Sequence, residues 1–276
     1  MPADLRLAGV APDPGVAKPD PILVADDLRR YFGGIRAVDI DHLEVQRGSI
    51  TSLIGPNGAG KTTLFNVLTG FDRPQRGHWQ LNGTRLAGIP AYRVSRRGMV
   101  RTFQLTKSLP RLTVLENMLV AARRQRGESF WGALVTSWRA AEKVNTVRAT
   151  ALLETFGLGH MASEYAGTLS GGQRKLLEMA RALMVEPDLV LLDEPTAGVN
   201  PALTQSLLRH ITSLRELGLT VLFIEHDMDV VREISDWVVC MSQGAIIAEG
   251  PPAEVARNRA VVDAYLGTRH EAGADG

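Results

Sequence analysis

Apolar residues in this chain gather into short unbroken runs separated by stretches of helical spacing. Ile22–Ala25, a stretch near residues 37–45, and Ser49–Ile54 read as strands, the last running straight into a glycine-rich loop. From Thr62 the spacing of Leu64, Phe65 and Leu68 is helical, and Gly70 is a plausible stop. Gly77–Leu81 and Met99–Phe103 predict further strands, with Asn82-Gly83 as a hairpin signal between them. Residues from about 112 to 168 read as helix-rich: Thr113 can cap a helix with Glu116 three residues on, and 138–156 holds neither Gly nor Pro. A helix pattern then reaches about Met184, followed by strand Leu189–Leu192, a helix over about 201–217 and strand Thr220–Glu225. Continuously apolar strands alternating with helices predict an α/β fold whose parallel sheet is covered on both faces. The insert at 106–168 then forms a small helical subdomain on that core.

Composition narrows the picture at the edges. Residues 1–20 hold four prolines and three aspartates without periodicity, so they read as a disordered tail whose removal leaves activity intact. No apolar run approaches the length of about 20 residues that spans a bilayer, and the N-terminus lacks a signal-peptide pattern, so any membrane role is peripheral. Thirty-one Lys plus Arg against 30 Asp plus Glu leave a net charge of +1, which argues against nucleic acid as the main partner. The single Cys240, in the strand-like run Trp237–Met241, excludes an internal disulfide framework and reads as core filler in a reducing compartment.

The chemistry begins at Gly55-Pro56-Asn57-Gly58-Ala59-Gly60-Lys61-Thr62, a phosphate-cradling loop between a strand and a helix. Its glycines let backbone N–H groups converge on phosphate oxygens, Lys61 reaches the β- and γ-phosphates, and the Thr62 hydroxyl ligates Mg²⁺. Strand Leu189–Leu192 leads to Asp193 and Glu194: the first is a candidate to hold Mg²⁺, the second to take a proton from an attacking water. His226 ends the next strand and is a candidate to orient phosphate and water. Gln104, at the entrance to the helical insert, is a candidate to touch metal or water and relay nucleotide state; alone it reads as a polar loop residue. A second glycine-rich run, Leu169-Ser170-Gly171-Gly172-Gln173, also opens a helix. A nucleotide can therefore be held from two sides, and if one chain cannot fold both runs onto it, a second copy supplies one.

This constellation resembles the ATP-binding cassette family over nearly the whole chain from about residue 22. The order is Phe32, Gly55–Thr62, Gln104, the LSGGQ run at 169–173, Leu189–Glu194 and His226. The resemblance implies a P-loop NTPase (RecA-like) core with an N-terminal antiparallel β subdomain, a helical subdomain at about 106–172, one nucleotide-binding domain over 21–270, and a tail at 271–276. It implies ATP and Mg²⁺ as ligands, with Gly55 to Thr63 around the phosphates and Phe32 (or Tyr31) stacked on adenine. It also implies two cassettes head to tail, so that Ser170, Gly171, Gly172 and Gln173 of one meet the γ-phosphate held by Lys61 of the other.

Within the family, Phe32-Gly33-Gly34-Ile35-Arg36-Ala37-Val38, Arg101-Thr102-Phe103-Gln104, Ala197-Gly198-Val199-Asn200-Pro201 and Ala264-Tyr265-Leu266-Gly267 are similar to the ATPases of branched-chain or hydrophobic amino-acid importers. The partners so implied are a second ATPase subunit, identical or homologous, separate transmembrane permease subunits and, indirectly, a solute-binding protein, at the cytoplasmic face of the membrane. Arg93, Arg96, Arg97 and Arg101, like Arg123, Arg124 and Arg126, read either as solvated faces or as surfaces toward permease or headgroups. Competing readings are a urea-import or lipopolysaccharide-export ATPase, or a soluble cassette protein outside transport.

Overall fold

The computed structural model describes residues 7–102, 109–122 and 138–271. They divide into two compact units. One comprises the chain to Arg101, Asp188–Ala197 and the chain from Leu208; the other comprises Thr102–Pro187 and Gly198–Leu207.

The first unit holds two sheets. β1 (Pro21–Phe32) and β2 (Ile35–Gln46) form a long hairpin turned at Gly33 and Gly34, with β4 (Arg76–Leu81) and β5 (Thr84–Arg85) completing the antiparallel order β2-β1-β4-β5. The other sheet runs β10-β9-β3-β8-β7-β6. Its strands are β3 (Ile50–Ile54), β6 (Met99–Arg101), β7 (Leu189–Asp193), β8 (Thr220–Ile224), β9 (Trp237–Ser242) and β10 (Ala245–Gly250). All its pairings are parallel except β9 with β10. β3, β7 and β8 are buried at every position, which is why each reads as an unbroken apolar run.

The turn at Asn82-Gly83 has φ of 50° and 69°, the left-handed pair that a two-residue hairpin needs. Its partner strand is Thr84–Arg85, not Met99–Phe103 as the sequence suggests. A two-residue turn can only join strands that follow at once, and Met99–Arg101 instead pairs with β7. Helices α1 (Lys61–Leu68) and α2 (Ala91–Arg96) belong to this unit. Leu64, Phe65 and Leu68 of α1 join Trp79, Ile40 and Leu28 of the antiparallel sheet and Leu53, Leu189 and Leu222 of the parallel sheet in one buried cluster.

The second unit contains α3 (Val114–Val120), α4 (Trp138–Thr155) and α5 (Gly171–Leu183). Thr113 and Glu116 form the reciprocal capping box expected from their spacing. Asn117, fully buried, donates from its side-chain amide to the carbonyls of Leu109, Leu112 and Thr113 and so ties the preceding loop to α3. The boundary between units falls inside α6 (Pro201–Glu216). The chain ends with α7 (Met228–Ile234), α8 (Pro252–Val255) and α9 (Arg259–Glu271).

Residues 7–20 depart from the tail expected of them. Leu7 joins the main core cluster, and Lys18 is buried beside Glu249, with 3.3 Å between Nζ and Oε2. The Lys18 ammonium also donates to Val16 O (2.9 Å) and lies 4.7 Å from the centre of the Trp237 ring. Glu249 in turn accepts from Val16 N–H (2.8 Å) and Trp237 Nε1–H (3.2 Å). Burial pulls the Lys18 ammonium below its ordinary value, and the Glu249 carboxylate pulls the other way. A segment of tail-like composition is held by a few anchors, and periodicity cannot register anchors so sparse.

Candidate functional site

The site grows from the carboxyl edge of the parallel sheet. Leu53 of β3 and Asp193 of β7 both stand opposite Ile224 of β8, while Ile54 stands opposite Cys240 of β9. The loop after β3, the acidic pair that closes β7 and the Glu225-His226 pair after β8 therefore leave the sheet at one level. Register does this, since parallel strands in step deliver their ends to the same edge.

The loop from Gly55 to Gly60 bends through backbone geometry that side chains would block. Gly55 has φ 145°, and a Cβ there would collide with the Met241 carbonyl. Gly60, at φ 102°, lies just as tightly against the Ala37 carbonyl. Pro56 and Ala59 are buried, whereas Asn57 and Gly58 are exposed at the loop crest. Lys61, 9% exposed, donates to Gly55 O (2.7 Å) and Pro56 O (3.0 Å). Burial lowers its pKa, opposed by the nearby Glu194 and Asp193 carboxylates and by Cys240. Thr62 is exposed and Thr63 half-buried in the first turn of α1. The contact of Gly60 with Ala37 sets the β1–β2 hairpin beside this loop, and Phe32 closes β1 opposite Ile35. Phe32 is 46% exposed and carries the Arg30 guanidinium 4.1 Å from its ring centre, with Arg30 held by Asp72 (2.9 Å). Tyr31, the alternative, has its backbone N–H and carbonyl clasped by the Gln75 side chain.

Asp193 is buried, and its Oδ2 lies 2.5 Å from Arg101 Nη2. Arg101 also donates to Asn66 Oδ1 of α1 (2.6 Å). Both side chains are nearly sealed from solvent, at 6% and 4% exposure. This overturns the surface reading of Arg101: its neighbours Arg93, Arg96 and Arg97 are exposed, but Arg101 is a core cation on β6. Glu194 follows in left-handed backbone at φ 48°, a conformation that costs a non-glycine residue about 1 kcal/mol or more. The turn that follows is closed by Ala197 N–H to Glu194 O (3.2 Å).

His226 is 61% exposed on its side chain. Glu225 before it is fully buried, and its carboxylate accepts from the His226 N–H (3.1 Å), the Thr196 N–H (3.3 Å) and the Thr196 hydroxyl. One buried carboxylate thus ties the loop after Glu194 to the strand end carrying His226. Sequence reading gives no site role to Glu225, Thr196 or Asn66, and gives Arg101 only a surface one. The available signal is an acidic residue closing an otherwise apolar strand, because a buried carboxylate needs donors.

The second glycine-rich run opens α5 in the other unit. Ser170 is the N-cap: its Oγ accepts from Gln173 N–H (3.3 Å) and Gln173 Oε1 accepts from Ser170 N–H (2.8 Å). A Cβ on Gly172 would collide with Leu203, whereas one on Gly171 would meet no described atom within 4 Å. The helix N-terminus thus presents backbone N–H groups from a locked cap. Asn200 caps the start of α6, accepting from Leu203 N–H through Oδ1 (3.0 Å). Gln104 lies outside the described residues, as do Arg123, Arg124 and Arg126.

For a metal, no group of three or more His, Cys, Asp or Glu among the described residues could hold an ion alone. The Thr62 hydroxyl and the Asp193 carboxylate are nevertheless a hard-oxygen set. Such a set suits Mg²⁺, which takes one or two protein oxygens and fills its shell from phosphates and water. No helix among the described residues is long and apolar enough to cross a membrane.

A family model described as ABC transporter matches residues 38–197, and one described as branched-chain amino acid ATP-binding cassette transporter matches residues 245–271. The chain is 43% identical over 250 residues to the high-affinity branched-chain amino acid transport ATP-binding protein BraF of Pseudomonas aeruginosa, covering 90% of this chain and 98% of that protein. Its identity to the corresponding protein LivG of Escherichia coli K12 is also 43%, with the same coverage. Among solved structures, an ATP-binding cassette of an ABC transporter in its ADP conformation matches with a TM-score of 0.77 at 36% identity, covering 90% of this chain and 99% of that one.

Proposed function

The chain belongs to the ATP-binding cassette transporter family, whose cassettes bind and hydrolyse ATP, and from that premise we propose that it is the ATPase subunit of an importer for branched-chain or other hydrophobic amino acids. The observation that carries the active-site reading is the register of the parallel sheet, with Leu53 and Asp193 level across Ile224. The amino-acid assignment is supported by the printed functions of the relatives and by the match over residues 245–271.

In this reading the N–H groups of Gly55 to Thr63 and the start of α1 bind the phosphates of ATP, and Phe32, backed by Arg30, stacks on adenine. Lys61 exchanges its two loop carbonyls for β- and γ-phosphate oxygens. Thr62 and Asp193 would hold Mg²⁺, with Gln104 a further candidate toward that metal or the attacking water; the ion would supply charge neutralisation on the phosphates. Glu194 takes a proton from the water that attacks the γ-phosphorus while the bond to the bridging oxygen breaks, leaving ADP and phosphate. His226, steadied by Glu225, donates to the phosphate oxygens where charge builds. Arg101 keeps the Asp193 carboxylate oriented from below, through a bond that also reaches α1.

A second cassette, identical or homologous, closes the site by presenting its own Ser170, Gly171, Gly172 and Gln173 to the γ-phosphate. The capping box leaves that helix N-terminus rigid, and the open space at Gly171 suits close approach of a ligand from outside the chain. Closure and release drive separate transmembrane permease subunits, supplied with amino acid by a solute-binding protein. The subunit acts at the cytoplasmic face of the inner membrane as a peripheral component. Glu194→Gln tests the assignment: it binds ATP, accumulates as an ATP-locked dimer on gel filtration, and hydrolyses at least a hundredfold more slowly by phosphate release. Hydrolysis at the parental rate would refute the base.

A further inference from the structure

The phosphate-binding loop is held from behind by the C-terminal helix. Gly55, its first residue, donates its backbone N–H to the Tyr265 hydroxyl at 2.9 Å, across more than two hundred positions of sequence. Tyr265 lies on α9 and packs against a buried cluster that contains Ile54, Cys240, Val255 and Val261. Ile54 is the last residue of β3, so the same helix grips both the strand end by packing and the loop start by a hydrogen bond.

We propose that Tyr265 is a positioning residue for nucleotide binding, fixing the peptide that enters the phosphate loop. Gly55 enters the loop at φ 145°, a backbone conformation that favours glycine. A Cβ there would collide with the Met241 carbonyl, and the Tyr265 hydroxyl receives its N–H. Its own carbonyl accepts the Lys61 ammonium at 2.7 Å. The carbonyl that holds Lys61 hangs from the residue whose N–H the Tyr265 hydroxyl fixes, so a shift of that entering peptide shifts the carbonyl as well. Burial pushes the phenol up to about 12, so it stays protonated and keeps its hydroxyl dipole at any physiological pH. The C-terminal segment thereby becomes part of the nucleotide site without touching nucleotide.

This inference rests on the reading of Gly55–Thr62 as the phosphate site, and Tyr265→Phe in the full chain tests it. The ring stays and only the hydroxyl leaves. One lost hydrogen bond at a loop that must be preorganised weakens ADP binding about three- to tenfold by calorimetry. The KM for ATP rises by a similar factor, while kcat changes less than twofold. Val261→Ala, a packing change in the same helix, lowers the unfolding temperature but keeps ADP affinity within twofold of the parent. Parental ADP affinity in Tyr265→Phe overturns the proposal, as does an equal loss in Val261→Ala, which assigns the effect to packing. A parent chain that binds no ADP overturns the underlying reading as well.

Discussion

Replacing Arg101 by Met probes the joint between the acidic strand end and the phosphate-loop helix. Methionine keeps much of the stem volume on β6 but removes the guanidinium, stranding the Asp193 carboxylate at 4% exposure and freeing Asn66 Oδ1 on α1. Removing one partner of a buried ion pair costs about 3–5 kcal/mol, because the remaining charge has lost its close compensation for lost water. Coulomb attraction at close range with an effective dielectric near 20 is of the same order, about 4 kcal/mol. With a urea m-value of about 3 kcal/mol per molar for a chain of this size, the midpoint falls by about 1–1.7 M. Tryptophan fluorescence reads the transition directly, since Trp79 and Trp237 are among the largest fully buried side chains. Arg101→Lys keeps a charge without the planar fork and falls between parent and Met variant, which covers the case where Arg101→Met does not fold. The double variant Arg101→Met with Asp193→Asn recovers part of the loss. A midpoint shift below about 0.3 M, or strict additivity of the two changes, refutes the buried-pair argument.

Deleting residues 1–20 removes Lys18 and the Val16 N–H from Glu249, leaving a carboxylate buried with the Trp237 N–H. The expected cost of about 3–5 kcal/mol lowers the melting temperature by about 10 °C, and an unchanged calorimetric transition refutes it. Cys240 is buried and its thiol is pushed up to about 12, so iodoacetamide at pH 8 should leave it unmodified in the native chain and label it in urea. A folded-state value raised above the unfolded one gives stability that is present below about pH 9 and lost as pH rises toward 12. Between pH 9 and 11 the parent should therefore lose more stability per pH unit than Cys240→Ala, by up to about 1.4 kcal/mol, and equal slopes refute it.

Much of the candidate site was legible because the proposed chemistry is local in sequence. A phosphate cradle of the kind proposed for Gly55–Thr62 lies within one strand–loop–helix turn, so its pattern is contiguous. The Ser170 and Gln173 capping box is likewise a matter of spacing along one helix. Strands β3, β7 and β8 were readable for a related reason: burial on both faces leaves no polar position to interrupt them. Thr113 and Glu116 announced their cap by the same three-residue interval.

Tertiary structure decided the contacts whose partners are far apart in the chain. Arg101 looked like one of four basic surface residues, and only the pairing of β6 with β7 put it beside Asp193. Glu225 looked like the tail of a strand until the loop at Thr196 was brought to it. The first twenty residues carry the composition of a tail, yet Lys18 finds Glu249 and Trp237 in the last strands of the sheet. Tyr265 meets Gly55 across nearly the whole chain. The sequence alone determined the two glycine-rich runs, the acidic strand end and the α/β alternation, because propensity, periodicity and capping act over a few residues. The tertiary structure alone decided which buried charges are compensated and what holds the phosphate loop from behind. Those contacts depend on sheet register and on the desolvation of particular pairs, and neither leaves a periodic trace in one dimension.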